Sequence, residues 1–267
     1  MALLRFANLV NMRSSNRIGL RAALTVILAF AFAGCSQTSS ENVTTQGIFA
    51  DIRVIAEGNG ATVVKVQLLV GNGGIGRTQL ILAPGDTLTV TANGIQKTMV
   101  RDTSLIGEVE YWASYGFDDA DTLFTVALNR ANGMSAANSN VTLPDGFVVM
   151  LPVSSTVFRT GEVIDVVWAP SGTATVPSIS ITVDCVLTTG IFISESRNLS
   201  PSTDSGASSI AVASVIPSGP IDTNQLCEGT AFLSRQRFGN LDPNYGEGGL
   251  ISAEHHNRGT FFVDPKP

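Results

Sequence analysis

Along most of this chain apolar and polar residues alternate one for one, and the alternation predicts strands. Successive side chains of a strand point to opposite faces, so period two marks a segment with one face buried. Ile48, Ala50, Ile52 and Val54 follow that rule before Glu57-Gly58-Asn59-Gly60 turns the chain. Val64, Val66, Leu68 and Val70 repeat it, and Gly71 to Gly76 forms the next turn. Leu80 and Leu82 precede Pro84-Gly85-Asp86, and Leu88, Val90 and Ala92 precede Asn93-Gly94, a dipeptide suited to a two-residue hairpin turn. Val109, Tyr111 and Ala113, then Phe124, Val126 and Leu128, continue the series. No segment sets apolar residues at helical spacing over three turns with capping residues at its ends. Short strands at intervals of about ten residues, divided by Gly, Asn, Asp and Pro, predict an all-β sandwich architecture and not βαβ units.

The alternation breaks once. Asn132-Gly133, Ser135 to Asn140 and Leu143-Pro144 offer little to bury, and residues 132–144 read as a linker. Strands resume at Phe147 to Leu151, Val163 to Trp168, Pro177 to Val186, Ser208 to Val215, Gln225 to Phe238 and Thr260 to Val263. The pattern divides the folded chain into domains at 47–131 and 145–267. Within the second, Thr160-Gly161-Glu162-Val163-Ile164-Asp165-Val166-Val167-Trp168 resembles the G-E-x-hydrophobic-x-V-x-W strand of bacterial immunoglobulin-like and fibronectin-like modules. The resemblance implies two immunoglobulin-like β-sandwich domains in tandem. Trp168 precedes Cys185, whereas antibody-type domains set the tryptophan between their two cysteines, so the superfamily stays open.

The first residues are of another kind. Arg5, Arg13, Arg17 and Arg21 precede an apolar run, Ala22 to Ala33, that is too short to span a bilayer. It ends in Phe32-Ala33-Gly34-Cys35, followed by the polar stretch Ser36 to Ser40. Phe32-Ala33-Gly34-Cys35 resembles the lipobox of Gram-negative bacterial lipoproteins, with Phe32 where an aliphatic residue is usual. By that resemblance residues 1–34 are a cleaved signal peptide. Cys35 is the lipid attachment site, carrying covalent diacylglyceryl and acyl (palmitate-type) lipid as its sole prosthetic group. Residues 35–46 form a flexible tether. Ser36, where an aspartate would signal inner-membrane retention, implies the outer membrane. An ordinary cleaved signal peptide or an uncleaved anchor is the competing reading, and Met12 would give a more usual leader length. One acyl chain binds a membrane reversibly and two or more hold it stably, at about 0.8 kcal/mol per buried methylene.

Charge and cysteine use fit an extracytoplasmic protein. Residues 1–34 contain four arginines and no acid, so the remainder holds 12 basic against 22 acidic residues, net −10. Three lysines in the whole chain form no cluster that could replace counterions on phosphates, which excludes nucleic acid as a partner. With Cys35 lipidated, Cys185 and Cys227 remain as a pair, each on the apolar face of an alternating segment, and a disulfide is expected. Two buried thiols are the alternative; no CxxC spacing supports redox chemistry.

Several stretches invite a chemical role. Gly71-x-Gly73-x-x-Gly76 matches a dinucleotide fingerprint, but a strand pattern follows it in place of the helix that would hold a pyrophosphate. His255-His256 sit beside Glu254 in what reads as a polar loop; adjacent residues face apart, so the two do not share a metal. No GxSxG elbow occurs. Asp118, Asp119 and Asp121 form an acidic turn that could bind calcium, and Asp242 to Glu247 is a second acidic turn; solvated turns are the plainer use of both. Tyr111 and Trp112 must face opposite sides, which puts one in the core.

Three functional readings remain. The first is a non-catalytic, lipid-anchored envelope protein, a scaffold or binding module for an envelope protein or glycan. The second is a carbohydrate-binding or calcium-assisted ligand-binding lipoprotein. The third is an enzyme working through carboxylates, for which no catalytic residues can be named.

Overall fold

The computed structural model describes residues 37–71, 78–104 and 107–266. Among them eighteen strands run in chain order. In the first half these are β1 (Gln37–Ser39), β2 (Ile48–Ala56), β3 (Thr62–Val70), β4 (Thr78–Ile81), β5 (Thr87–Ala92), β6 (Ile95–Thr98), β7 (Val100–Thr103), β8 (Val109–Tyr115), β9 (Leu123–Asn129) and β10 (Ala136–Thr142). The second half contains β11 (Val148–Leu151), β12 (Val157–Arg159), β13 (Val163–Ala169), β14 (Ser178–Val186), β15 (Phe192–Leu199), β16 (Ala207–Ala211), β17 (Cys227–Phe238) and β18 (Leu250–Asp264).

Burial follows the alternation. Ile48, Ala50, Ile52, Val54 and Ala56 of β2 are all fully buried, while the residues between them are not. A slip of one residue would turn all five to solvent, at about 1.5–3 kcal/mol for each large side chain, so the register is strongly fixed. Asn93 and Gly94 both take positive φ, as a two-residue turn between β5 and β6 requires, with Ala92 opposite Ile95.

The fold is all-β, two β-sandwiches that share one long sheet. In the order β1-β4-β3-β2-β18-β17-β14-β15, with β7, β8 and β12 alongside, this sheet has eleven strands. Its first part packs on the four-stranded sheet β10-β9-β5-β6, enclosing a core that includes Val66, Tyr111, Phe124 and Val126. Its second part packs on the three-stranded sheet β11-β13-β16 around Trp168, Ile181, Leu233 and Phe261. β18 serves both. Ile251 and Ala253 belong to the first core and Phe261 and Val263 to the second. Its first six residues pair in parallel with β2, and Phe262 to Asp264 pair in parallel with β12.

Three sequence expectations change. The expected linker 132–144 is strand for most of its length: β10 pairs with β9, and Asn140 exchanges backbone hydrogen bonds with Asn240. The buried residues of β10 are the small or isolated ones, Ala136, Ser139 and Val141, so its apolar signal is faint. The expected tether is folded from Gln37 onward, with β1 paired to β4 and Ser40 and Thr45 buried. The polar stretch before Thr260 is the first part of β18. It returns the chain to the first sandwich through residues 239–249, where Tyr245 and Asp242 are buried. Gly239 permits that return, since a Cβ there would lie 2.0 Å from the Asn140 carbonyl oxygen.

At its open edge the long sheet carries an unusual pair. Glu195 and Arg197 of β15 lie opposite Val183 and Ile181, on the core-facing side of the strand, and pair with each other at 2.9 Å.

A disulfide joins Cys185 of β14 to Cys227 of β17, with Cα atoms 4.4 Å apart at a sequence separation of 42. Closing a loop of that length stabilises the folded state by about 4 kcal/mol in the chain-entropy picture, less whatever the native geometry costs. Because β18 threads both cores, the loss should spread beyond the second sandwich. Replacing both cysteines with alanine should lower stability by about 2–4 kcal/mol. In hydrogen exchange, the slowest amides of β3 should lose as much protection as those of β14. Loss confined to β14 would show that the sandwiches open separately.

Candidate functional site

Three places concentrate polar side chains: the entry of the chain into the first sandwich, the waist between the cores, and the outer face of the long sheet.

At the entry, Arg130 follows β9 and Asp86 precedes β5, and both side chains are buried. Their ion pair, 2.8 Å from Arg130 Nε to Asp86 Oδ2, sits under the N-terminal segment. Arg130 Nη2 donates to the carbonyls of Ser40 (2.6 Å) and Val43 (3.2 Å), and Nη1 donates to Thr45 Oγ1 (3.2 Å). Asp86 accepts from Ser40 Oγ at 2.7 Å and from the Ala131 amide at 2.8 Å. Thr45 Oγ1 donates to the Met134 carbonyl. A hollow of about 450 Å³ opens beside this clasp, between Val43, Thr45 and Met134. Cys35 itself lies outside the described residues, as do residues 72–76 of the glycine-rich turn.

The waist is built on the inward face of β17 and β18, where apolar residues give way to Arg237, Arg235, His255 and Asn257. Arg235 is fully buried. It pairs with Asp204 at 2.8 Å, donates to the carbonyls of Pro170 (2.7 Å), Asp145 and Gly146, and lies over the Phe147 ring. Asp204 also accepts from Trp168 Nε1 at 2.7 Å and from the amide and hydroxyl of Thr173. Burial alone would raise the pKa of Asp204. The Trp168 and Thr173 hydrogen bonds and the Arg235 charge outweigh it, and the carboxyl is held below its usual range. Arg237 reaches to the first sandwich, pairing with Asp121 and, at 3.2 Å, with Asp145, and donating to the Leu143 carbonyl.

These contacts place the acidic turn. Asp118 accepts from the Gly60 amide at 2.9 Å and stands 4.0 Å from His255 Nε2, while Asp121 turns to Arg237. Asp118 and Asp121 thus serve the waist from two directions and do not converge with Asp119 on a common point. Among the described residues no group of three or more His, Cys, Asp or Glu is arranged to hold a metal ion. In the second acidic turn Asp242 is spent on backbone, accepting from the amides of Asn138 and Asn244.

His255 and His256 do face apart, but in a strand. His255 is buried at the waist, against Phe147 and Gly146, where a Cβ would come within 2.9 Å of the ring. His256 lies on the outer face, 2.5 Å from Glu254 and edge-on to Phe232. The hydrogen bond to His256 holds the Glu254 carboxyl below its usual range in spite of partial burial. A groove of about 250 Å³ runs here between Glu57, Asn59, Phe232, His256 and Arg258. Trp112 is 40% exposed on the same outer face, while its neighbour Tyr111 is in the first core.

Among the described residues no helix is long and apolar enough to cross a membrane. No protein-family model matches the sequence, and no curated protein matches it. Among solved structures the chain is similar to the FN1–FN3 domains of chicken CNTN1, at 8% identity and a TM-score of 0.31, over 83% of this chain and 68% of that one. The description of the fold stands on the sheets themselves.

The waist makes stability depend on pH. Burial lowers the pKa of His255 below its ordinary value of about 6.5; Asp118 opposes this, and Arg235 and His256 add to it. The unfolded chain therefore takes up the proton first as pH falls. Stability should be full above about 6.5 and decline below it, until the folded ring also protonates. Urea midpoints between neutral and mildly acidic pH should fall in the wild type, and His255→Leu should flatten the slope. An equal slope in the variant would remove His255 as its source.

Proposed function

We propose that this is a lipid-anchored protein of the bacterial cell envelope, attached to the outer membrane through Cys35 and acting without catalysis as a scaffold or binding module. The observation that carries the reading is Phe32-Ala33-Gly34-Cys35 at the end of a short apolar run preceded by arginines alone. A disulfide between Cys185 and Cys227 supports an oxidising compartment. A non-catalytic role is supported by the fate of the carboxylates at the clasp and the waist. Asp86, Asp204, Asp121 and Asp145 are each taken up by an arginine, which makes them structural in this arrangement.

One observation favours recognition of a glycan or another polar ligand over pure spacing. The groove of Phe232, His256, Arg258 and Glu57 sets an aromatic ring among donors and acceptors on a broad, otherwise flat sheet face. That combination suits a sugar ring, whose apolar face stacks while its hydroxyls bond.

Cys35→Ala in the full chain should abolish acylation and move the protein from the membrane fraction to the soluble one. If the variant still sediments with membranes after a high-salt wash, something other than the lipid holds it.

A further inference from the structure

The registers of the long sheet give the molecule two poles. Gln37 lies opposite Gln79, Gln79 opposite Leu69, Leu69 opposite Phe49, and Asp51 opposite Leu250. Gln37 is therefore level with the start of β18 or slightly beyond it. β1 runs parallel to β4 and to β2, so the chain enters at this end and heads toward the second sandwich. At the other end Asp184 lies opposite Glu228, and Glu228 opposite Phe262. The turn from β14 to β15 thus stands past the end of β18, with Ile191 62% and Phe192 79% exposed at its tip. At the strand rise of about 3.3 Å per residue, the two poles are about 50 Å apart.

Cys35 is two residues from Gln37, a reach of about 7 Å at full extension. From Gln37 onward the chain is held by backbone pairing to β4, by Gln37 Nε2 donating to the Gly107 carbonyl, and by the clasp of Arg130 and Asp86. We infer that no free tether separates the lipid site from the fold. The entry pole of the first sandwich docks directly on the bilayer surface, and the second sandwich is carried outward with the Ile191–Phe192 tip farthest from the membrane. The inference rests on the lipoprotein reading for the anchor and on the strand registers for the orientation.

The full chain, purified from bacterial membranes, tests it in vesicles of phosphatidylethanolamine and phosphatidylglycerol that carry an acceptor-labelled lipid. A donor is attached through an unnatural amino acid at Asn42, near the entry pole, or at Thr189, at the tip. Energy transfer to the bilayer should be several-fold stronger from position 42 than from position 189. A flexible glycine-serine spacer inserted between Ser36 and Gln37 leaves every contact of the clasp in place. It should nevertheless reduce transfer from position 42 and narrow the difference between the sites. The mass of the N-terminal peptide is read on the same samples. An unmodified Cys35 would overturn the lipoprotein reading, and the docking with it. An acylated Cys35 with equal transfer from both sites, or with no effect of the spacer, would overturn the docking alone.

Discussion

The hairpin of β17 and β18 is the element on which both sandwiches depend. Its inward face reads apolar, polar, apolar along its length: Ile251 and Ala253 in one core, Arg237, Arg235, His255 and Asn257 at the waist, then Leu233, Ala231, Phe261 and Val263 in the other. A buried guanidinium is tolerable only where its charge and donors are met. Arg235 meets that condition by drawing together the 145–147 segment, Pro170 and Asp204, the points at which the second sandwich closes on the hairpin. Arg237 does the same for the 121 and 143–145 turns of the first. The polar waist sets the sandwiches at one fixed spacing, because an apolar joint would slide more freely than one with directional bonds.

Much of this fold was legible in the alternation of side chains, and the failures share one cause. Strands with a fully apolar inner face, such as β2, β9 and β14, announce themselves. Where the inner face carries Arg235, His255 or Asn257, the same backbone reads as a polar loop, because its partners come from distant parts of the chain. β10 was hidden for a related reason: its buried positions are alanine, serine and one valine, enough to close a sheet edge but too little to signal a strand. β15 alternates, but with charges inward, and periodicity carries no information on which face is buried.

The candidate functional residues divide in the same way. Cys185 and Cys227 could be paired from their faces and their number. Nothing in the spacing of Arg130 and Asp86, or of Arg235 and Asp204, marks them as partners; each acid lies in a turn that reads as solvated. The N-terminal segment is polar and lacks a run of apolar residues, so composition alone describes it as free chain. What folds it is backbone pairing to β4 and hydrogen bonding to the buried Arg130–Asp86 pair, which no local pattern records.

One consequence concerns crowding. Copies of a chain at high local concentration meet with their sheet edges free to align. An open edge strand in that setting is a template for lateral zipping, the more so for a sheet of this length. β15 is such an edge, and Glu195 with Arg197 on its core-facing side oppose such zipping. A second strand added there would have to bury both charges against its own apolar face. The pair thus acts on encounters between molecules more than on the stability of any one of them.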